Sequence, residues 1–401
     1  MKKQLAAFCT FLLTSVGFSQ VITHEDSLNA GLTRSTAPTV LSGYGSMKYV
    51  NNFTKGTANV NVDRIVLFFG HRFSKNVTFF SELELEDAKV VGGKASGEFS
   101  IEQAFLKFNI NPSNYITAGL FVPRIGIINE NHLPTTYNGN ERPFLETLII
   151  PSTWRELGIG YYGSSNRILG LNYSCGLVNG LSSAGFENGS GIREGRFEGS
   201  NASASALAMT GAVLYYRGNF RMQASAYYGG SAGITARNAD SLQLNSGLLG
   251  TPVALGEANV QYLGNRLSVK ALATFVAIPD AEKINRAYAN NTPEAMFGSY
   301  LEIGYNVYKK DKRFYRLFAR YEYLDMNAKL PSNGIYNGMN KQQYIVTGLT
   351  FSPVQGVNIK LDYTYRMTGE QNPALIVTPF PQGIPYQSRQ HLVTLGLGYS
   401  F

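Results

Sequence analysis

Strict alternation of apolar and polar side chains is the main pattern along this chain. Its cleanest example is 357–366, where Val, Ile, Leu and Tyr occupy every second position and Asn, Lys, Asp, Thr and Arg fill the others. Successive side chains of a β-strand point to opposite faces, so this segment predicts a strand with one apolar and one charged face. Residues 82–86 and 315–323 alternate in the same way, although Phe318 interrupts the polar face of the second segment.

Segments of this kind recur from residue 40 to the end of the chain. A strand that crosses a bilayer at a tilt needs about 9–11 residues, which these segments provide. The pattern predicts strands over residues 40–50, 60–73, 77–88, 98–110, 114–124, 153–162, 166–177, 205–217, 219–229, 254–263, 266–277, 297–308, 313–324, 341–351, 357–367 and 389–401.

The breaks between these strands alternate between short and long. The short breaks contain the Gly, Asn, Ser or Pro that tight turns favour, at 74–76, 111–113, 163–165, 218, 264–265, 309–312 and 352–356. The long breaks lie at 126–152, 178–204, 230–253, 278–296, 325–340 and 368–388. Outer-membrane barrels have short turns at one end and long loops at the other, whereas a soluble β-sandwich has no reason to alternate. The chain therefore predicts an all-β fold, a transmembrane antiparallel β-barrel of about 16 strands over residues 39–401.

The first residues predict export. Residues 1–20 have a basic start, an apolar core at 5–17 and small or polar residues after it, which is typical of a secretory signal peptide. Its two lysines leave with it, which lowers the formal net charge from +8 to +6. Residues 21–38 are polar and patternless, and we expect a mobile leader. Only Cys175 then remains, so no internal disulfide is possible.

The composition agrees with a barrel of the Gram-negative outer membrane. Tyr (25), Phe (24) and Gly (42) are abundant, and aromatic residues cluster near predicted strand ends, where amphipathic rings favour the membrane–water boundary. No Lys- or Arg-rich run suggests nucleic acid. The expected surroundings are therefore membrane lipid and lipopolysaccharide.

The last strand ends on an apolar stripe. Every second residue from Val393 to Phe401 is apolar, and the stripe finishes on Tyr399 and the C-terminal Phe401. A terminal phenylalanine after such a stripe resembles the signal read by the barrel-assembly machinery. Tyr399 and Phe401 are therefore predicted to act in assembly.

Three short segments resemble the phosphate-selective porins, the porin O and porin P family. They are Ala-Gly-Leu-Phe-Val-Pro-Arg-Ile-Gly at 118–126, Asn-Glu-Arg-Pro at 140–143 and Arg-Glu-Leu-Gly-Ile-Gly at 155–160. The resemblance implies a sixteen-stranded, homotrimeric porin with a narrow, basic channel. The acidic ladder at 82–86 does not suit a uniformly basic wall.

The long connection between the fifth and sixth predicted strands, 126–152, combines charge with the apolar run 148–150. A solvent-exposed loop has little use for such a run, so we expect the connection to fold into the lumen, as the third loop of general porins does. The alternative is an external loop packed on its neighbours. The predicted constriction residues are Asn129, Glu130, His132, Glu141, Arg142 and Glu146.

Charged residues on the polar faces of the strands are predicted to line the pore. Opposed bands of charge would create a transverse field that favours small dipolar solutes, or the charges would simply pair and keep the lumen wet. The predicted pore-lining residues are Arg64, Glu82, Glu84, Glu86, Glu102, Arg124, Lys270, Glu302, Arg316, Arg320, Glu322, Lys360, Asp362 and Arg366.

These features predict a porin for passive diffusion of small hydrophilic solutes or ions through a mixed-charge constriction. A phosphate- or anion-selective porin and a structural or adhesive barrel without an open pore remain alternatives. Catalysis is not expected, because the histidines at 24, 71, 132 and 391 accompany no Gly-x-Ser-x-Gly motif and no paired-histidine motif. No close Cys/His spacing predicts a metal site, and no cofactor is predicted.

Overall fold

The computed structural model describes residues 38–86, 98–376 and 386–401. The predicted signal peptide 1–20 and residues 21–37 of the predicted leader lie outside these residues. Sixteen antiparallel strands form one closed barrel, in which each strand pairs with its neighbours in sequence and the last pairs with the first. The predicted fold class is therefore confirmed.

The strands match the predicted ones one for one. They are β1 (Thr39–Asn52), β2 (Thr57–Arg72), β3 (Val77–Glu86), β4 (Glu98–Asn111), β5 (Asn114–Phe121), β6 (Glu156–Ser164), β7 (Leu171–Asn179), β8 (Leu207–Arg217), β9 (Phe220–Gly230), β10 (Pro252–Leu263), β11 (Leu267–Ala277), β12 (Ala295–Lys310), β13 (Arg313–Lys329), β14 (Lys341–Val354), β15 (Val357–Thr368) and β16 (Arg389–Ser400). In the described parts of the connections lie three short α-helices: α1 (Leu145–Leu148), α2 (Ala236–Ser241) and α3 (Ala281–Tyr288). In the part of the chain that is described, no helix has the length and apolar character needed to cross a membrane.

On the strands, apolar side chains are exposed and polar side chains are buried, which is the reverse of a soluble protein. On β15, Ile359 and Leu361 are exposed, whereas Lys360 and Asp362, which alternate with them, are buried. The exposed side of a closed sheet is its outside, so the apolar residues form an outer face and the charged residues an inner, polar face. Lipid offers no hydrogen bonds and demands a sheet without edges and with an apolar outer band. This barrel has the architecture of a protein of the Gram-negative outer membrane.

The connections alternate as predicted, with one exception. Between β1 and β2 the chain turns within 53–56, although this connection lies at the end with the long loops. Among the fully described connections, 122–155 between β5 and β6 is the longest. It is longer than predicted because residues 122–124 and 153–155 leave the strand ladder: Arg124 pairs with Glu130, and the Trp154 amide donates to the side chain of Asn129.

Two glycines of β1 receive the terminal aromatic residues where the barrel closes. A Cβ at Gly43 would come within 3.0 Å of the Phe401 ring, and one at Gly45 within 2.5 Å of the Tyr399 hydroxyl. The Phe401 amide donates to the Gly43 carbonyl at 2.9 Å, and the Gly43 amide donates back at 3.2 Å. The C-terminal stripe thus packs across the seam that makes the sheet continuous.

Candidate functional site

The 122–155 segment packs against the polar face of strands from all around the barrel. Its residues contact side chains of β3, β4, β9, β12, β13 and β15, among others. Most of the charged side chains on the polar face of the strands take part in contacts of this kind. The geometry of the site therefore depends on how this one segment is held.

Glu146 fastens the segment to itself and to β12. Its Oε2 accepts the backbone amides of Ile127 (2.5 Å) and Ile128 (2.8 Å), and its Oε1 accepts the Tyr300 hydroxyl at 2.7 Å. Gly126 makes this approach possible, since it has φ +81° and a Cβ there would lie 2.6 Å from Glu146 Oε2. This close approach explains why the last position of the 118–126 motif is a glycine.

A second attachment joins residues 137–140 to β15. Lys360 Nζ donates to the carbonyl oxygens of Tyr137 (2.8 Å) and Gly139 (2.7 Å). Asp362 Oδ2 accepts from the Asn140 amide at 2.8 Å and from its side chain at 2.6 Å. A buried lysine and a buried aspartate are thus satisfied by the polar groups of the segment.

A third attachment joins the segment to β12 and β13. Arg320 is fully buried between Glu302 (3.1 Å) and Glu322 (2.8 Å). Those acids in turn bind the segment, since Glu302 accepts from the Asn138 side chain at 2.9 Å and Glu322 from the Leu145 amide at 2.9 Å. The ion pairs of the wall and the hydrogen bonds of the segment form one network.

Small residues on the wall make room for the segment. A Cβ at Gly298 of β12 would lie 2.1 Å from Leu145, which is fully buried. On β16, a Cβ at Gly396 would lie 2.0 Å from the Asn140 side chain. The small residues on the polar face of the last strand therefore leave room for the segment.

A polar cavity of about 460 Å³ remains beside the segment. Its basic residues are Lys48, Arg64, Arg142, Arg155, Arg193 and Arg196, and its acidic residues are Asp63, Glu84, Glu86, Glu141, Glu194 and Glu198. The two signs are equal in number. The described lining of the cavity therefore has no excess of positive or negative side chains.

Most of the cavity charges are paired. Arg64 lies 3.1 Å from Glu84 and 3.2 Å from Glu86, and Lys48 lies 2.5 Å from Glu141. Arg142 differs: its Nη1 donates to the Ser152 hydroxyl at 3.3 Å, and no carboxylate lies within ion-pair distance in the described residues. Among the described residues, Arg142 is therefore the guanidinium of the cavity that has no direct ion pair.

The residues predicted to line a pore fall into three groups. Arg64, Glu84 and Glu86 border the cavity. A second group contacts the 122–155 segment or, in the case of Arg124, belongs to it: Glu82, Glu102, Arg124, Glu302, Arg316, Arg320, Glu322, Lys360 and Asp362. Lys270 pairs with Glu302 at 3.7 Å, and Arg366 lies over the Tyr344 ring.

The predicted constriction residues divide in the same way. Glu141 and Arg142 border the cavity, whereas Glu146 is buried and its carboxylate makes the hydrogen bonds described above. Asn129 bridges the two ends of the segment, donating to the carbonyls of Ile125 (2.9 Å) and Pro151 (3.0 Å). Glu130 binds Arg124 and Arg221, and His132 lies between Glu82 and Glu102.

Several cavity residues are not indicated by the alternation pattern of the sequence. Lys48 and Asp63 lie on β1 and β2, and Arg193, Glu194, Arg196 and Glu198 lie in the next long connection, 180–206. The dense charge of 193–198 was a usable signal. Its position against the cavity depends on the fold, because it comes from a different connection.

Comparison with known proteins gives one relative and several structures of the same fold. A protein of Aquifex aeolicus (strain VF5), described as uncharacterized, is 31% identical over 339 residues, covering 80% of this chain and 74% of that protein. No protein-family model matches the sequence.

The solved structures are outer-membrane proteins. An anion-selective porin from Comamonas acidovorans aligns with a TM-score of 0.55 and 14% identity, over 90% of this chain and 99% of that one. Salmonella typhi OmpF in complex with daunomycin gives 0.57 and 13%, over 90% and 97%. A trimer form of Vibrio cholerae OmpT gives 0.51 and 10%, over 90% and 99%. At such identities the likeness concerns the fold, which is that of the porins. The sequence identity and coverage, in turn, place this chain in the family of the uncharacterized Aquifex aeolicus protein.

Proposed function

We propose that the protein is an outer-membrane porin through which small hydrophilic solutes or ions diffuse passively. The observation that carries this proposal is the polar cavity beside the 122–155 segment, inside a closed barrel and lined by charges of both signs. Charged side chains on an inner face keep a lumen wet. A barrel built only for structure or adhesion has no use for such a cavity.

The 122–155 segment serves as the constriction. A single segment that contacts β3, β9, β12 and β15 spans the inside of the barrel, because these strands lie on different sides of a closed sheet. A loop packed outside one rim would reach only neighbouring strands. These contacts support a fold into the lumen.

Equal numbers of acidic and basic side chains favour weak ion selectivity. In a narrow passage each charge acts more strongly than at an open surface, so a surplus of either sign would select strongly. Here most charges are paired, and Arg142 is the exception. We therefore expect a weakly selective pore with a slight preference for anions, rather than a phosphate-selective channel.

A patch of small residues on the outer face supports a homotrimer. Elsewhere this face carries Leu, Ile, Phe and Tyr, whereas at mid-height of β8 to β11 it is nearly flat. Small residues let the lipid-facing surfaces of two membrane-embedded chains approach closely. The patch consists of Gly211, Ala224, Ala226, Gly256, Ala258, Ala271 and Ala273. Light scattering in mild detergent should give the mass of three chains; a single-chain mass would contradict this.

Conductance in planar bilayers tests the pore proposal. The wild-type protein should form open channels with a small reversal potential in asymmetric KCl. Arg142→Gln should move the reversal potential toward cation preference, because it removes the unpaired guanidinium. The matched double variant Glu84→Gln, Glu86→Gln should move it toward anions, because it releases Arg64.

Two outcomes would favour the alternatives. Channels that never open would indicate a structural or adhesive barrel. Strong block of chloride current by low phosphate would mean that the phosphate selectivity implied by the resemblance is present.

A further inference from the structure

Three potential metal ligands meet where the 122–155 segment touches β3 and β4. The ligand atoms of Glu82, Glu102 and His132 lie within 4.8 Å of one another, and all three side chains are buried. Across 38–86, 98–376 and 386–401, no other three His, Cys, Asp or Glu residues are so arranged. We propose that this group binds a divalent transition-metal ion, best matched by Zn²⁺, which fastens the segment to the wall.

The separations suit a shared ion better than direct hydrogen bonds. His132 Nε2 lies 3.5 Å from Glu82 Oε2 and 3.8 Å from Glu102 Oε2. Hydrogen bonds from nitrogen to oxygen are about 2.7–3.2 Å long, so both separations are too great. Ligand atoms at about 2.0–2.1 Å from one tetrahedral ion stand roughly 3.4 Å apart, which is close to these values.

Both carboxylates are oriented by outer hydrogen bonds. The Gln103 side chain donates to Glu82 Oε2 at 3.0 Å, and the Tyr44 hydroxyl donates to Glu102 Oε2 at 2.8 Å. Ligating carboxylates in proteins are commonly held in this way. The other oxygen of Glu102, Oε1, is buried with no hydrogen-bond partner in the described part of the chain. A buried acceptor without a partner is costly, and an ion that contacts both oxygens of the Glu102 carboxylate would satisfy it.

The ligand types select the class of ion. One imidazole nitrogen with two carboxylate oxygens suits Zn²⁺ and its neighbours, whereas Mg²⁺ and Ca²⁺ prefer oxygen ligands throughout. A dication also adds positive charge beside the two buried carboxylates, and buried charges are normally paired or bound to metal. Such an ion would join the segment, through His132, to the two adjacent strands that carry Glu82 and Glu102.

Metal content of the folded, full-length protein tests this site. After chelation and return of Zn²⁺, the wild type should retain about one ion per chain. His132→Gln and Glu82→Gln should lose it. The matched controls His71→Gln on β2 and Glu86→Gln on the same strand should keep it. Tyr44→Phe, which removes an outer hydrogen bond, should bind about 10- to 100-fold more weakly.

Heat-modifiable migration in electrophoresis confirms that each variant is folded. If the ligand variants do not fold, zinc-edge X-ray absorption of the wild type decides: one imidazole with oxygen neighbours supports the site, and a sulfur neighbour from Cys175 overturns it. A wild type that retains no Zn²⁺ also overturns it, because a protonated His132 between two carboxylates would then explain the group. Channel conductance of the same samples reports separately on the pore.

Discussion

Replacing Glu146 with Leu should release the 122–155 segment while leaving the barrel folded. Glu146 is 1% exposed, and its carboxylate accepts two backbone amides of the segment and the Tyr300 hydroxyl. Leu has a similar volume and accepts nothing. The strand ladder does not involve this side chain, so the barrel itself should persist.

The magnitude follows from the three donors that lose their acceptor. Each buried donor left unsatisfied costs about 1–3 kcal/mol, so Glu146→Leu should destabilise the folded segment by about 3–9 kcal/mol before relaxation. Glu146→Gln is the matched control, because its carbonyl oxygen still accepts the two amides and its NH₂ can donate to the Tyr300 oxygen. The control should lose far less.

Single-channel recording distinguishes the two variants. If the segment forms the constriction, Glu146→Leu should raise the mean conductance and the open-channel noise, while Glu146→Gln should stay near the wild type. Heat-modifiable migration should show a folded barrel in both. A folded Glu146→Leu barrel with wild-type conductance and noise would refute the idea that this carboxylate holds the constriction.

Three further predictions concern pH, assembly and topology. Burial raises the pKa of Glu146 to about 7, so the folded segment keeps a proton that the unfolded chain releases near the ordinary value of 4.5. Stability should therefore fall by about 3 kcal/mol as pH rises from about 4.5 to 7 and stay level above, and Glu146→Gln should abolish this in thermal unfolding at pH 5 and 8. Deleting Phe401, which packs across the closing seam, should reduce the heat-modifiable barrel recovered from membranes, and an unchanged amount would contradict its assembly role. An epitope tag at Gly334 should be accessible on intact cells and one at Gly356 should not, because short turns face the periplasm; the reverse would place the termini outside.

The order of residues alone determined the strands. Alternation with period two predicts all sixteen, because the pleat of a strand sends neighbouring side chains to opposite faces whatever the rest of the fold. It also placed Lys360 and Asp362 on the polar side. Phe318, which seemed to break that pattern, is buried on the polar face, where its ring lies near Gly139 of the segment.

Only the tertiary structure decided which charges meet. His132 reaches Glu82 and Glu102, and Glu146 reaches Tyr300, across separations in sequence that no local pattern encodes. These contacts exist because the sheet closes and a long connection crosses its polar face, and a connection has no periodicity from which its path could be read. The flat outer patch is hidden for the same reason, since its small residues come from four strands and become neighbours only in register. Local periodicity thus fixes the wall, while the path of the 122–155 segment fixes what that wall can do.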